Sequence, residues 1–194
     1  LPLAGGEVEA VVSDRGRVTS YALGPRGSVA YTFAGERDLS QLHWKEPGAS
    51  ARRLTDLNAE ALRGVEIAPV EAFTFVSADF KWEVEAFLTR PLGFTGARKH
   101  PLILMIHGGP HGAQGPAFNF KSQFYAGRGY ATLQVNYRGS TSYGQKFADA
   151  VFADQNGQEA MDVLYGVSAA LRRNPWLDHE RLGIEGGSYG GQLT

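Results

Sequence analysis

The sequence predicts a doubly wound, mostly parallel α/β sheet that follows a group of all-β strands. From residue 101 onward, the order strand, helix, strand, helix, strand is typical of a parallel sheet with helices on both faces. Before residue 70, short alternating segments separated by Gly- and Pro-containing turns indicate antiparallel β-structure. We therefore divide the chain into a β-region, residues 1–70, and an α/β region, residues 71–194.

The β-region contains four strand candidates. They cover residues 8–12, 20–23, 28–33 and 40–44. Short strands at this spacing favour a sandwich or a propeller. A propeller blade takes about 40–45 residues, so the region holds at most about one and a half blades. Because a single blade cannot bury its own faces, we expect further blades upstream.

The α/β region contains the elements of an open sheet. In chain order, the candidates are strands at 71–77, 83–89, 101–106 and 130–137 and helices at 119–127 and 145–152. The continuous apolar run 101–106 is typical of a parallel strand that is covered on both faces. In the first helix we expect Phe120 and Phe124, with Tyr125 as a further candidate, to face the core.

Residues 158–173 give the clearest helical pattern. Apolar residues recur at helical spacing, at positions 160, 163, 164, 167, 170 and 171. Asn174 and Pro175 end the helix, after two basic residues that suit the negative end of its dipole. Residues 181–185 then predict a short strand that runs directly into Gly186.

The composition is typical of a globular protein and gives no attraction to polyanions. The 194 residues are 43% hydrophobic, with a formal net charge of −1. We therefore expect no nucleic-acid partner and no membrane partner, and no apolar run approaches the length of a membrane span. The absence of cysteine excludes disulfides and thiolate nucleophiles, and it fits a cytoplasmic location.

The run Gly186-Gly187-Ser188-Tyr189-Gly190 matches the Gly-x-Ser-x-Gly nucleophile elbow. The turn from strand to helix is so tight that side chains two positions before and after the serine would collide. The turn presents the Ser188 hydroxyl at the N-terminus of the following helix, where free N–H groups carry partial positive charge. Ser188 is therefore the candidate nucleophile.

His107-Gly108-Gly109-Pro110 directly follows the apolar strand, where a hydrolase of this fold has its oxyanion loop. Two backbone N–H groups must point at the developing negative charge, and glycine allows the main chain to approach closely. The predicted donors are the N–H groups of Gly109 and Tyr189. We interpret His107 as a residue that orders the loop, since in this fold the catalytic His follows the serine.

The other polar candidates have two interpretations each. His111 either lines the cleft or lies at the surface. Arg138 pairs with an internal carboxylate, which we favour, or contacts substrate. Asp162 is either a buried partner of an arginine or an exposed residue of the helix. No metal-ligand spacing such as HExxH occurs, so we expect neither a metal nor a cofactor.

Together these motifs resemble the prolyl oligopeptidase family of serine peptidases, in particular its acylaminoacyl-peptidase-like branch. The matching segments are His107-Gly-Gly-Pro110, Asn136-Tyr-Arg-Gly-Ser140, Tyr143-Gly144, Gly157 with Asp162, Asp178 with residues 181–184, and residues 186–191. Two positions differ from the family pattern. Phe80 stands in a turn that usually contains Asp-Gly, and Gln192 stands where an aromatic residue often follows.

The resemblance implies that residues 1–70 are the end of a β-propeller and residues 71–194 the first, incomplete part of an α/β-hydrolase domain. It also implies cleavage of short peptides without a cofactor, with Ser188 as nucleophile and with Gly109 and Tyr189 as oxyanion donors. The family's Asp and His follow the serine by many tens of residues, so the rest of the polypeptide would supply them. A homo-oligomer is a further expectation from the family.

Two alternatives remain open at this point. A carboxylesterase or lipase shares the elbow and the oxyanion loop, and a non-catalytic hydrolase-like module could retain both after losing its triad. Thr194 falls six positions after Ser188, where a helix is expected to start. We therefore interpret the sequence as part of a longer polypeptide.

Overall fold

A four-stranded antiparallel sheet forms the first part of the molecule. The computed structural model describes residues 5–194. The strands, which lie side by side in chain order, are β1 (Gly16–Leu23), β2 (Val29–Gly35), β3 (Gln41–Lys45) and β4 (Arg52–Arg53). Tyr21 is paired with Tyr31 and Tyr31 with His43, so these three rings share one face of the sheet. Within residues 5–194 this is a single sheet, and no propeller is visible.

The start of this sheet differs from the prediction. Residues 8–12 are irregular, and the first strand begins at Gly16 instead. The Lys45 ammonium donates a hydrogen bond to the Val11 carbonyl at 2.6 Å, so a side chain holds this segment without a strand partner. The short strand β4 was not predicted, because two arginines carry no alternation of apolar and polar residues.

A five-stranded sheet forms the second part. Its strands are β5 (Val70–Val76), β6 (Glu83–Thr89), β7 (His100–Ile106), β8 (Ala131–Asn136) and β9 (Leu177–Gly186), in the order β5-β6-β8-β7-β9. β7 pairs in parallel with β8 and β9, whereas β5 with β6 and β6 with β8 are antiparallel. The sheet is therefore mixed, and the expectation of a mostly parallel sheet is wrong for these strands.

The antiparallel pairing of β5 with β6 follows from the tight turn between them. Ser77 accepts a hydrogen bond from the Trp82 N–H at 3.0 Å and donates one to Asp79 at 2.7 Å. Phe80 has a φ of +59°, so it occupies the left-handed conformation that glycine would adopt more easily. Such a short connection joins only antiparallel neighbours, because parallel strands need a longer crossover.

Helices cover both faces of the five-stranded sheet. The helices are α1 (Ala59–Leu62), α2 (Phe120–Gly127), α3 (Gln145–Asp149), α4 (Gln158–Arg173) and α5 (Tyr189–Gln192). In α2, Ser122 donates to the Met105 sulfur, whereas a side chain on Gly166 of α4 would meet Val135 at 2.6 Å. Met105 is in register with Gln134, so Met105 and Val135 point to opposite faces. The sheet is therefore doubly wound, as predicted.

The buried face of α2 is not the predicted one. Phe120 and Phe124 are exposed, and the helix buries the small residues Ser122 and Ala126 instead. The Asn119 side chain accepts a hydrogen bond from the Ser122 N–H at 3.1 Å, which caps the helix. Small residues allow the helix axis to approach the sheet, so the expectation of inward phenylalanines was wrong.

The buried face of α4 matches the prediction in part. Val163 and Ala170 are buried as expected, whereas Leu164 is 57% exposed. Gly166 brings the helix close to β8, and this contact rotates the acidic residues Glu159 and Asp162 into the interior. Among residues 5–194, no helix combines the length and the apolar character that crossing a membrane requires.

Candidate active site

Ser188 lies in the sharp turn between β9 and α5. Its backbone has φ +57° and ψ −125°, a conformation that costs an L-residue about 1–3 kcal/mol. A Cβ on Gly186 would lie 2.0 Å from the Gly190 carbonyl oxygen, and one on Gly190 would lie 2.2 Å from the Ile106 oxygen. Gly187 has nothing within 4 Å, so only the two outer glycines are required by contact. The predicted steric reason for the pattern is thus present in the structure.

The loop after β7 lies directly against this turn. β7 and β9 are parallel, with Ile106 in register with Gly186, so both strands end at the same level. A side chain on Gly108 would lie 2.9 Å from the Gly187 oxygen and 3.1 Å from the Ser188 Cβ. Gly109 has φ +141°, and a Cβ there would meet the His111 nitrogen at 2.5 Å. The backbone of Gly108 therefore lies beside Ser188 without an intervening side chain.

His107 is held within the structure and does not face Ser188. Its ring is stacked on Tyr137 with centroids 4.4 Å apart, and its nitrogens contact the Gly108 carbonyl at 2.9 Å and the Ser140 hydroxyl at 3.0 Å. Burial lowers the pKa of His107, while the Gly108 contact opposes this shift. These contacts fit the interpretation of His107 as a residue that orders the loop.

Ser140 therefore forms a serine–histidine pair, but its environment does not suit a nucleophile. Ser140 is fully buried, and its hydroxyl donates to the Tyr137 carbonyl at 2.6 Å. Ser188, in contrast, is exposed at the end of the sheet. The pair with His107 thus fastens the two loops that follow β7 and β8.

His111 turns away from the elbow and lines two cavities. Its Nδ1 contacts the Gly139 carbonyl at 2.9 Å. One cavity, of about 650 Å³, extends from Pro110 past Val151 and Phe152. The other, of about 720 Å³, lies between the two sheets and includes Arg17, Glu85 and Tyr143 among its lining residues. Both cavities border the loop after β7.

Arg138 pairs with two carboxylates and does not face either cavity. It donates to the fully buried Asp162 at 2.7 Å and to Asp79 at 2.8 Å. Its hydrogen bonds hold the pKa of Asp79 well below the usual range, whereas burial raises the pKa of Asp162. The favoured prediction for Arg138 is confirmed, and Asp162 is its buried partner. The cluster ties the β5–β6 turn to α4.

Glu159 is a residue that the sequence reasoning missed. This fully buried carboxylate accepts a hydrogen bond from the Tyr189 hydroxyl at 2.5 Å. It also accepts the backbone N–H groups of Asn156 and Gly157, at the start of α4. Burial, and after it the bond to Glu159, raises the pKa of Tyr189 to about 12. An acidic residue in the first turn of a helix was the available signal, but it usually indicates only a favourable dipole.

Gln192 also has a defined partner. Its side-chain amide donates to the Asn156 side chain at 3.0 Å, which links α5 to the loop before α4. This amide contact occupies the position where the family often has an aromatic residue. Among residues 5–194, His, Asp and Glu side chains form no group of three or more that could hold a metal ion.

Comparison with known proteins identifies similar sequences. The profile of the prolyl oligopeptidase family, Peptidase_S9, matches residues 116–194. An uncharacterized peptidase of Bacillus subtilis, YuxL, is 39% identical over 155 residues, which are 80% of this chain and 23% of that protein. The acylamino-acid-releasing enzyme of Sus scrofa is 26% identical over 95% of this chain and 28% of the enzyme.

Solved structures show the same fold. The acylaminoacyl peptidase of Pyrococcus horikoshii superposes with a TM-score of 0.87 at 28% identity, covering 97% of this chain and 30% of that one. An acylaminoacyl peptidase in complex with Z-Gly-Gly-Phe-chloromethyl ketone gives 0.85 at 28% identity, over 97% of this chain and 30% of that chain. The chain thus spans less than a third of these relatives.

Proposed function

We propose that the chain carries the nucleophile and the oxyanion hole of a serine peptidase for short peptides, because the profile of the prolyl oligopeptidase family matches residues 116–194. One observation carries the proposal. Ser188 occupies a strained turn at the end of β9, and the side-chain-free backbone of Gly108, the residue before the proposed donor Gly109, lies against it. This is the geometry that acyl transfer requires, because the attacking oxygen and the donors for the oxyanion must converge on one carbonyl group.

In the proposed reaction, the Ser188 Oγ attacks the scissile carbonyl carbon and its proton passes to a histidine. The carbonyl oxygen becomes an oxyanion that accepts hydrogen bonds from the Gly109 and Tyr189 N–H groups. Collapse of the tetrahedral intermediate expels the amine, which takes the proton, and leaves an acyl-enzyme on Ser188. Water then attacks the acyl-enzyme through the same steps, which releases the carboxylic acid product and restores Ser188.

We assign the histidine and its orienting aspartate to other parts of the same polypeptide. His107 and His111 contact backbone carbonyls and Ser140, and neither ring is directed at Ser188. The matched relatives are three to four times longer than this chain, which leaves room for both groups. Because a serine without its base keeps only about 10³–10⁴-fold acceleration over water, we expect residues 1–194 alone to be essentially inactive.

We further propose that residues 1–70 end a β-propeller that screens access to a hydrolase domain beginning at residue 71. The exposed Tyr21 and Leu23 share a face of the first sheet with the buried Val29 and Tyr31, and such a face suits contact with a neighbouring blade. Short peptides that pass the propeller would reach the cavity between the two sheets. A cytoplasmic location and a homo-oligomer complete the proposal, and no nucleic-acid or membrane partner is expected.

The test uses the full-length protein and its Ser188→Ala variant. Each is assayed with a short peptide p-nitroanilide and with a matched p-nitrophenyl ester. We expect amide and ester hydrolysis in the natural protein and neither in the variant. Ester hydrolysis alone would favour a carboxylesterase. Absence of both activities in the natural protein would favour a non-catalytic module.

A further inference from the structure

We propose that the contact between the Tyr189 hydroxyl and the Glu159 carboxylate holds the oxyanion-donating N–H group of Tyr189 in place, which makes Glu159 a positioning residue for catalysis. The inference rests on the proposed function, because it assigns a role within the same site. Glu159 itself lies behind the elbow and is fully buried, so it does not touch substrate.

The elbow has few other means of holding its shape. Among residues 186–191, four are glycines and one is the nucleophile, so Tyr189 supplies the only other side chain. Ser188 is strained at φ +57°, and α5 contains four residues, Tyr189–Gln192. A strained conformation persists only when its surroundings fix it. The buried Tyr189 side chain is therefore the anchor that the neighbouring glycines cannot provide.

The anchor point is itself rigid. Glu159 accepts two backbone N–H groups at the start of α4 in addition to the Tyr189 hydroxyl, so all three donors converge on one carboxylate. α4 runs for 16 residues against the sheet. Three residues after Glu159, Asp162 is tied to Arg138 at 2.7 Å. The Tyr189 side chain thus ties the elbow to the start of α4.

The Tyr189 ring also touches the other half of the site. It stacks against Tyr137 with ring centroids 6.3 Å apart, and Tyr137 stacks on His107. His107 is the first residue of the loop that contains Gly109. The Tyr137 hydroxyl donates to the His107 carbonyl at 2.8 Å. One aromatic stack therefore connects both predicted oxyanion donors, and Glu159 fixes one end of it.

The test compares Tyr189→Phe, Glu159→Gln and the double variant in the full-length protein. Tyr189→Phe removes the hydroxyl but keeps the ring and the N–H group, and Glu159→Gln keeps the shape of the acceptor. The matched control is Tyr125→Phe, which removes a tyrosine–glutamate contact of 2.9 Å to Glu185, beside the elbow in sequence but outside the site. Thermal melting confirms that each variant is folded at the assay temperature.

Two kinetic quantities report on the oxyanion donors. Loss of a whole donor costs about 10²–10³-fold in kcat, so a misplaced donor should cost about fivefold to fiftyfold in each single variant. KM for a peptide p-nitroanilide should stay within about twofold, because the contact acts in the transition state. The inhibition constant of a peptide aldehyde, whose adduct places an oxyanion in the hole, should rise by the same factor as kcat falls.

The double variant should lose no more than the worse single variant, since both changes break one contact. Tyr125→Phe should match the natural protein. Natural kcat and aldehyde affinity in Tyr189→Phe would overturn the inference while leaving the proposed function intact, and so would effects of the two changes that multiply. If Glu159→Gln does not fold, Tyr189→Phe decides alone. An inactive natural protein would instead reject the proposed function and this inference with it.

Discussion

The two sheets differ in how much of their surface is covered by other parts of the chain. Every residue of β8 is buried, whereas β1 is exposed along nearly its whole length. Helices on both faces of the five-stranded sheet give it a core that includes Leu102, Leu133 and Val84. The first sheet has no such cover among residues 5–194. The elbow follows β9, the exposed edge strand of the five-stranded sheet, which pairs in parallel with the largely buried β7. This pairing suits a site that requires accurate placement of backbone groups.

Two ion pairs of similar length show the same contrast. Arg138 and Asp162 are 2.7 Å apart in the interior, and Arg15 and Glu36 are 2.9 Å apart on the first sheet, where Arg15 is 65% exposed. Their lengths alone would predict equal contributions to stability. Because water and salt screen only the exposed pair, it contributes little to the free energy of unfolding. Removal of one partner of the buried pair should destabilise the protein strongly.

Replacement of Arg138 should have the largest effect on stability. Arg138→Leu leaves the buried Asp162 charge without its partner, so the free energy of unfolding should fall by about 3–5 kcal/mol. Urea unfolding of the full-length protein, followed by tryptophan fluorescence, measures the change. As a control, adding Asp162→Leu should recover much of the loss. A loss below about 1 kcal/mol for the single variant would contradict the assignment of a buried ion pair.

The elbow provides a matched pair of glycines for the second prediction. A Cβ on Gly190 would lie 2.2 Å from the Ile106 oxygen, whereas one on Gly187 meets nothing within 4 Å. Gly190→Ala should therefore lower the free energy of unfolding by about 2–3 kcal/mol, because the backbone must move. Gly187→Ala should stay within about 0.5 kcal/mol. Equal effects of the two changes would show that the steric account of the elbow is wrong.

Asp79 gives a smaller effect with a defined pH dependence. Arg138 lowers the pKa of Asp79 in the folded protein, so its contribution to stability is present above the unfolded value of about 3.9 and is lost as pH falls. Asp79→Asn should cost about 1–2 kcal/mol at pH 7. The difference from the natural protein should shrink below about pH 4. A difference that grows on acidification would reverse the predicted sign.

The exposed pair on the first sheet should have the smallest effect. Arg15→Gln should change the free energy of unfolding by less than about 1 kcal/mol, and raising the salt concentration should remove even that difference. The same urea titration at low and high salt measures it. A loss comparable to that of Arg138→Leu would remove the contrast between the two sheets.

Features that depend on local sterics could be predicted from the sequence. A Cβ on Gly186 would meet Gly190, four residues away, and the bounds of α4 follow from helical spacing. Features that depend on distant partners could not be predicted in this way. On the buried face of α2, Ser122 contacts Met105, and this contact with a distant strand is not visible in the spacing of Phe120 and Phe124.

The candidate site divides in the same way. Ser188, Gly109 and Tyr189 follow from a motif whose chemistry is local to the turn and the loop. Glu159 could not be found, because its role depends on a hydroxyl 30 residues further along the chain. The antiparallel pairing of β5 with β6 was missed because the turn containing Phe80 lacks the glycine that usually signals a hairpin.

The most direct test of the account is covalent labelling of the full-length protein with a fluorophosphonate, followed by peptide mass spectrometry. The account predicts one adduct, on Ser188, and no labelling of Ser188→Ala. Ser140 is the internal comparison, because it has a histidine partner but is fully buried. Hydrolysis that survives in Ser188→Ala, or an adduct on Ser140 with Ser188 unmodified, would contradict the central claim.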